Sequence, residues 1–303
     1  AEEDPAFYGR LLSVEVVTES QEQADLLLGR FAEVAEQGEP RVVVVTAEAG
    51  AGKTRLGAEV ARMAGDSFGA RALSTRCPAF GETGRLAPLA DLVRQACGVE
   101  VDEPDERIAE RIRRVATDLP DPGLGPGGVE VLFDLVGVDS EVDALGGVPG
   151  ISTAAGRRAR MPEVLAALLN GLAASEPVLI VVDDVHNATP DTLDALGGLV
   201  DRLDGAVLVL LLGRPELVRT HGLLTRLPAA EPLPLPPLTG AAVSRLLRSY
   251  LGGPLDRADE TRLLATAQGN PFYLAELVSL LVEQGRLTGG ANGWRLAPGG
   301  FRG

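Results

Sequence analysis

Lysine is almost missing from this 303-residue chain: of its 28 basic residues only Lys53 is a lysine. Cysteine is nearly as scarce. Cys77 and Cys97 are far apart and form no Cys-x-x-Cys pair, so metal or redox chemistry has little support and two small buried thiols are expected. Long apolar runs are also absent. The longest, such as residues 206–212, fall far short of a bilayer span, and no basic stretch leading into an apolar one opens the chain. Both absences point to a cytoplasmic location with no membrane contact. Positive charge is in deficit, with a formal net charge of −15 and an isoelectric point near 4.7. That balance argues against direct nucleic acid binding by this stretch through a broad electrostatic surface.

With 45% hydrophobic residues the chain can bury a substantial core, more naturally as two units than one. It opens on Ala1 rather than Met and closes on Pro298-Gly299-Gly300-Phe301-Arg302-Gly303 just after a hairpin-like pattern, so a piece of a larger protein is expected.

The lone lysine stands inside Ala47-Glu48-Ala49-Gly50-Ala51-Gly52-Lys53-Thr54, an [AG]-x-x-x-x-G-K-[ST] phosphate-binding loop. A tight glycine loop around phosphates admits a compact ammonium on a slim stem and not a planar guanidinium. This explains why lysine persists at the one position in a chain that elsewhere uses arginine. Arg41-Val42-Val43-Val44-Val45-Thr46 reads as a buried parallel strand before the loop, and Leu56, Val60, Ala61 and Met63 give a helical stripe after it. In that setting the backbone amides of Gly50, Ala51, Gly52, Lys53 and Thr54 surround the phosphates, with Ala49 and Arg55 at the flanks. Lys53 reaches the β and γ groups and the Thr54 hydroxyl ligates Mg²⁺.

Around the loop, helical spacing predicts a helix after a capping box at residues 20–23, a strand at 70–75, and helices at 86–96 and 107–116. Residues 119–128 and 146–156 read as loops within an insertion that ends in Arg157-Arg158-Ala159-Arg160, a solvated helix start or a phosphate or partner contact. A helix at 162–174 follows. Next come a strand at 178–182 closed by Asp183-Asp184, a helix at 191–203 and a buried strand at 206–212. A short edge strand at 232–236 is limited by its prolines. Alternating strands and helices predict an α/β doubly wound parallel sheet. From 240 onward the pattern is helical, at 241–251, 256–267 and 271–284, and a hairpin at 286–296 closes it.

A strand ending in two aspartates suits a Mg-nucleotide site. Asp183 is the expected metal-side residue and Asp184 the residue that orients or deprotonates the attacking water. A plain pair of turn aspartates is the alternative. Arg214 follows the 206–212 strand, where it would sense the γ-phosphate or simply occupy a surface turn. His186 is expected to pack or hydrogen-bond rather than act as a base. Pro271 sits in the favoured first turn of its helix.

These four stations are Ala47 to Leu56, Val181-Val182-Asp183-Asp184-Val185-His186, Leu212-Gly213-Arg214-Pro215-Glu216-Leu217 and Gly269-Asn270-Pro271-Phe272-Tyr273-Leu274-Ala275-Glu276-Leu277. Together they resemble the AAA-type module of the signal-transduction ATPases with numerous domains (STAND), as found in large LuxR-type regulators and multidomain nucleotidyl cyclases. The resemblance implies a P-loop NTPase sheet of order 5-1-4-3-2 and a C-terminal helical lid whose Pro271 lies near the nucleotide. It divides the chain into an N-terminal flank (1–19), the NTPase domain (20–238), the lid (239–285) and the start of a winged helix (286–303).

It further implies a slow Mg²⁺-dependent ATPase switch. ADP would hold a resting form, and ATP with an unknown inducer an open, self-associating homo-oligomer that drives fused output domains. Two positions depart from the family pattern: Val17-Thr18-Glu19 stands for Gly-Arg-Glu, and Asn187 for the Trp after Asp-Asp-x-His. The alternatives are a nucleotide-binding scaffold that barely hydrolyses, separated by turnover, and a ring-forming motor or loader ATPase, which polynucleotide-stimulated hydrolysis would support.

Overall fold

The computed structural model describes residues 18–79, 86–100, 102–120, 123–138, 153–219, 222–290 and 293–297. Residues 1–17, including Val17, most of the 146–156 loop and residues 298–303 lie outside the described residues. The chain divides into two compact units. Of the described residues, one comprises those of Leu27–Thr46 and Gly57–Pro234; the other comprises those up to Leu26, Ala47–Leu56 and those from Leu235.

The first unit is built on five parallel strands, β1 (Arg41–Thr46), β2 (Arg71–Arg76), β3 (Val178–Asp183), β4 (Val207–Gly213) and β5 (Glu231–Pro234). Their order is β2-β3-β4-β1-β5, the 5-1-4-3-2 arrangement expected from the resemblance. β3 and β4 are buried at every position, as continuous apolar runs require when both faces of a sheet are covered. β5 carries two prolines, which cannot donate to a ladder, and it lies at the sheet edge beside β1.

One face of the sheet is covered by α1 (Thr18–Gln37) and α2 (Lys53–Phe68), whose Phe31 and Phe68 rings meet edge to face at 5.5 Å. α2 lies close to the sheet at Gly57, where a Cβ would come within 2.8 Å of Leu212 and 3.0 Å of Val181. The opposite face buries Val42, Val44, Ile180, Val182 and Leu211. They share a core with α3 (Ala87–Ala96), α4 (Asp105–Asp118), α5 (Gly128–Val136), α6 (Ala154–Ala173) and α7 (Pro190–Val200). Fully burying each such side chain contributes about 1.5–3 kcal/mol relative to exposure.

Three elements differ from the sequence reading. α1 begins at Thr18, ahead of the capping box. α5 forms inside the insertion, bounded by Gly127 and Gly137 in left-handed conformations; nine residues between Gly-rich flanks are too few for periodicity to stand out. α6 starts eight residues before Pro162, because Thr153 Oγ1 accepts from Gly156 N at 3.0 Å and supplies an N-cap. Pro162 removes one internal helix bond, and its ring packs against Gly198 of α7, where a Cβ would sit 3.2 Å away. After two short helices, α8 (Glu216–Arg219) and α9 (Leu223–Arg226), the sheet closes with β5.

The second unit contains α10 (Gly240–Leu251), α11 (Arg257–Ala267) and α12 (Pro271–Glu283), packed around Val243, Leu247, Leu263, Leu274 and Val278. The antiparallel hairpin β6 (Leu287–Gly290) and β7 (Gly293–Leu296) follows, and Trp294 Nε1 donates to Leu251 O at 2.7 Å. Among the described residues no helix is long and apolar enough to cross a membrane.

Candidate functional site

The glycine loop leaves β1 and runs into α2, so the N-terminal end of that helix opens onto the loop, where the helix dipole favours an anion. Gly50 and Gly52 take φ of +76° and +90°, a region an L side chain adopts only with strain. Lys53 is 7% exposed, and its Nζ donates to Ala47 O at 2.8 Å and Glu48 O at 2.9 Å. The ammonium is thus held inside the curl of its own loop, where a buried charge needs such partners. Thr54 and Arg55, the next helical residues, are exposed. Burial raises the Tyr250 phenol, and the positive charge of Arg55 opposes that rise.

The turn before α12 meets the loop directly. Asn270 caps α12, its Oδ1 accepting from Tyr273 N at 3.0 Å, while its Nδ2 donates to Ala49 O at 2.8 Å. Phe272 N donates to Gly50 O at 3.3 Å. A Cβ on Gly50 would lie 2.6 Å from Phe272 Cβ and 2.8 Å from Asn270 Oδ1, so Gly50 is required by close approach as well as by φ. Gly269, at φ +77°, is pinned in turn: Leu238 N donates to its carbonyl at 3.0 Å, and a Cβ there would strike Leu238 O at 2.5 Å. Pro271 is half-buried at the start of α12.

Two cavities border this junction. One of about 610 Å³ is lined by Glu48, Ala51, Pro237, Asn270, Phe272 and Tyr273, among others. The other, about 280 Å³, is lined by Gln23, Ala51, Gly52, Leu56 and the Leu235 to Thr239 segment, among others. From sequence, Asn270 and Phe272 belong to the motif at the helix start without a role, Gln23 to a capping box and Leu235 to the edge strand, and nothing marks Pro237. Any signal of a role lay in the Asn-Pro helix start and in the proline run.

The remaining sequence-derived residues belong to the sheet unit. Asp183 ends β3, is 6% exposed, and accepts from Asp184 N at 2.7 Å. Asp184 has a left-handed backbone, φ 50°, which aspartate tolerates better than most residues. Its carboxylate is engaged by Arg76 at the end of β2, with Nε and Nη2 2.6 and 2.5 Å from Oδ2. That hydrogen bond and the Asp184 charge raise the already high Arg76 pKa. His186 Nδ1 lies 3.9 Å from Asp184 Oδ1, and Asn187 Nδ2 donates to Cys77 O at 3.4 Å. Arg214 follows β4 and is exposed. In the sheet β4 separates β1 from β3, so the carboxyl ends of all three strands lie on one edge.

Among the described residues there is no group of three or more His, Cys, Asp or Glu that could hold a metal. A single buried carboxylate such as that of Asp183 is nevertheless a fitting donor for Mg²⁺, which keeps several waters and takes much of its shell from phosphate oxygens. Cys77 and Cys97 are buried free thiols. Burial, then the charges of Asp184 and Asp183, push Cys77 up to about 12. Burial pushes Cys97 to about 12, with Arg71 pulling the other way.

A family model described as the AAA ATPase domain matches residues 17–212. No curated protein sequence matches the chain. Among solved structures, Cdc6p from Pyrobaculum aerophilum is similar at a TM-score of 0.50 and 15% identity over 94% of this chain and 64% of that one. The origin recognition complex of Drosophila, solved bound to DNA, gives a TM-score of 0.52 and 12% identity over 92% of this chain and 61% of its own. The chain therefore spans a little under two thirds of those proteins, and at these identities the likeness is one of fold.

Proposed function

Because this chain belongs to the AAA ATPase domain family, we propose that it is an ATP-binding regulatory switch that hydrolyses ATP slowly to ADP and phosphate within a larger signalling or transcription-regulating protein. The observation that carries this reading is the junction of loop and lid: Asn270 and Phe272 hydrogen-bond to Ala49 and Gly50. A phosphate that reorganises the loop amides therefore acts on the first turn of α12, and a ligand shifts a conformation only through contacts of this differential kind.

In this reading the amides from Gly50 to Thr54 and the Lys53 ammonium hold the β and γ phosphates, with Ala49, Arg55 and Pro271 bordering the nucleotide. Thr54 and Asp183 hold Mg²⁺, which when bound neutralises phosphate charge. Asp184 orients the attacking water, and Arg214 senses the γ-phosphate. The Arg76 guanidinium on Asp184 competes for the carboxylate that must accept from water, which supports slow turnover. The same contact favours the second reading, a scaffold that binds nucleotide and barely hydrolyses it. A ring-forming loader has only fold likeness behind it. The charge balance supports the absence of direct DNA binding by this stretch.

The domain plan proposed with this function is an NTPase domain over 20–238, a lid over 239–285 and the opening of a winged helix from 286. An inducer, fused output domains and an ATP-dependent homo-oligomer complete it. Hydrogen exchange with and without ADP tests the switch. Protection is expected across residues 50–54 and also 269–277, since binding stabilises every segment it ties together. Protection confined to 50–54 would make the lid a passenger and leave a nucleotide-binding domain without a switch.

A further inference from the structure

The sheet unit contains a further cavity, of about 720 Å³, an open hollow lined by residues of α3, α5 and α6 together with Arg76, Pro78 and Leu86. Its wall includes the apolar side chains of Ala87, Ala90, Leu135 and Met161. Its polar residues are Arg76, Arg94, Arg157 and Arg158 against Asp91 and Asp134, an excess of positive charge in a chain whose formal charge is −15.

Three of the four arginines are held in pairs. Arg94 lies 3.5 Å from Asp91 and donates to Val136 O at 2.6 Å, Arg157 pairs with Asp134, and Arg76 pairs with Asp184. Arg158 is exposed and has no carboxylate within ion-pair distance among the described residues. Partly exposed pairs of this kind are worth little, about 0–1 kcal/mol, so an incoming anion can compete for the guanidinium groups. A planar guanidinium offers paired donors that match carboxylate and phosphate oxygens.

We propose that this cavity is an effector site for a small amphipathic organic anion, with an apolar body against Leu135 and Met161, a carboxylate or phosphate head on Arg158, and readout through Arg76. Arg76 belongs to both places at once: it lines the cavity and it occupies the Asp184 carboxylate. An anion that draws the guanidinium toward itself releases Asp184. This readout rests on the proposed water-orienting role of Asp184, whereas occupancy of the cavity does not.

Binding is measured by titrating the whole chain with anilinonaphthalenesulfonate, an apolar body carrying one anionic group. One saturable site per chain is expected, displaced by octanoate or by octyl phosphate and far less by octanol; whichever anion displaces better identifies the head group. Arg158→Glu and Ala87→Trp, one removing the charge and the other filling the space, should each weaken the probe roughly tenfold or more. Unchanged affinity in both variants, or displacement by octanol as effective as by the anions, would overturn the site. For the readout, the better of the two anions should raise steady-state ATP turnover in the parent, and Arg76→Ala should abolish that dependence. Binding with no change in turnover in a parent that hydrolyses ATP would overturn the coupling through Arg76. Failure of Asp184→Asn to slow hydrolysis would instead refute the role of Asp184 and leave the titration result standing.

Discussion

A single ammonium and a single carboxylate carry most of the proposed chemistry. Lys53 is held by carbonyls of its own loop, so Lys53→Ala removes the principal charge facing phosphate while leaving β1 and α2 intact. Charged hydrogen bonds are worth about 1.5–3 kcal/mol, so ATP affinity should fall roughly tenfold to hundredfold by calorimetry; unchanged binding would end the phosphate-loop assignment. Asp184→Asn should spare binding and slow hydrolysis by roughly a hundredfold or more, the scale of a positioned acid or base. Arg76→Ala acts in the other direction, because it frees the Asp184 carboxylate, and turnover should rise about severalfold. Were Arg76→Ala to leave turnover at the parent rate, the ion pair would be only a strut between β2 and the turn after β3.

At the scale of elements, the turn from Gly269 to Phe272 does two things with one side chain. Asn270 caps α12 with its oxygen and ties Ala49 with its nitrogen. Asn270→Ala should therefore cost about 1 kcal/mol for the cap and a further ~1 kcal/mol for the lost bond to the loop. Urea denaturation reads the sum, and Asn270→Asp separates the terms by keeping the cap oxygen and losing the donor. Pro271→Gly frees the backbone at the same start and should loosen the ADP-dependent protection of α12. Equal loss of stability in Asn270→Ala and Asn270→Asp, with ADP protection of 269–277 unaltered, would show that the Ala49 contact is energetically idle.

For the whole molecule, the two buried thiols set an alkaline limit. Burial pushes both up to about 12, from an ordinary value of 9.0. Raised folded values mean that their contribution is fully present below pH 9 and lost as pH climbs toward 12, because only the unfolded chain ionises its thiols in that window. Replacing Cys77 and Cys97 together by alanine should flatten the fall of Tm between those limits, at the cost of a lower Tm at neutral pH from lost packing. A Tm profile of unchanged slope would show that other groups control alkaline unfolding.

The sequence alone determined the strand, glycine loop and helix around Lys53, the strand ending in Asp183 and Asp184, the proline-limited edge strand and the three helices after residue 240. In each case the signal is local: an apolar period, a turn residue or a lone lysine constrains its own neighbourhood. α5 and the early start of α6 escaped that reading because short helices in Gly-rich surroundings depend on caps and on packing, as with Pro162 against Gly198. Only the tertiary structure decided which partners the local motifs acquire. Arg76 reaches Asp184 across 108 residues because β2 pairs with β3 in a register that sets Arg76 beside Asp183. Asn270 reaches Ala49 across 221 residues because the lid turn folds onto the loop. Neither contact leaves a trace in periodicity or composition, since an arginine at a strand end and an asparagine before a proline are ordinary residues until the chain brings their partners to them.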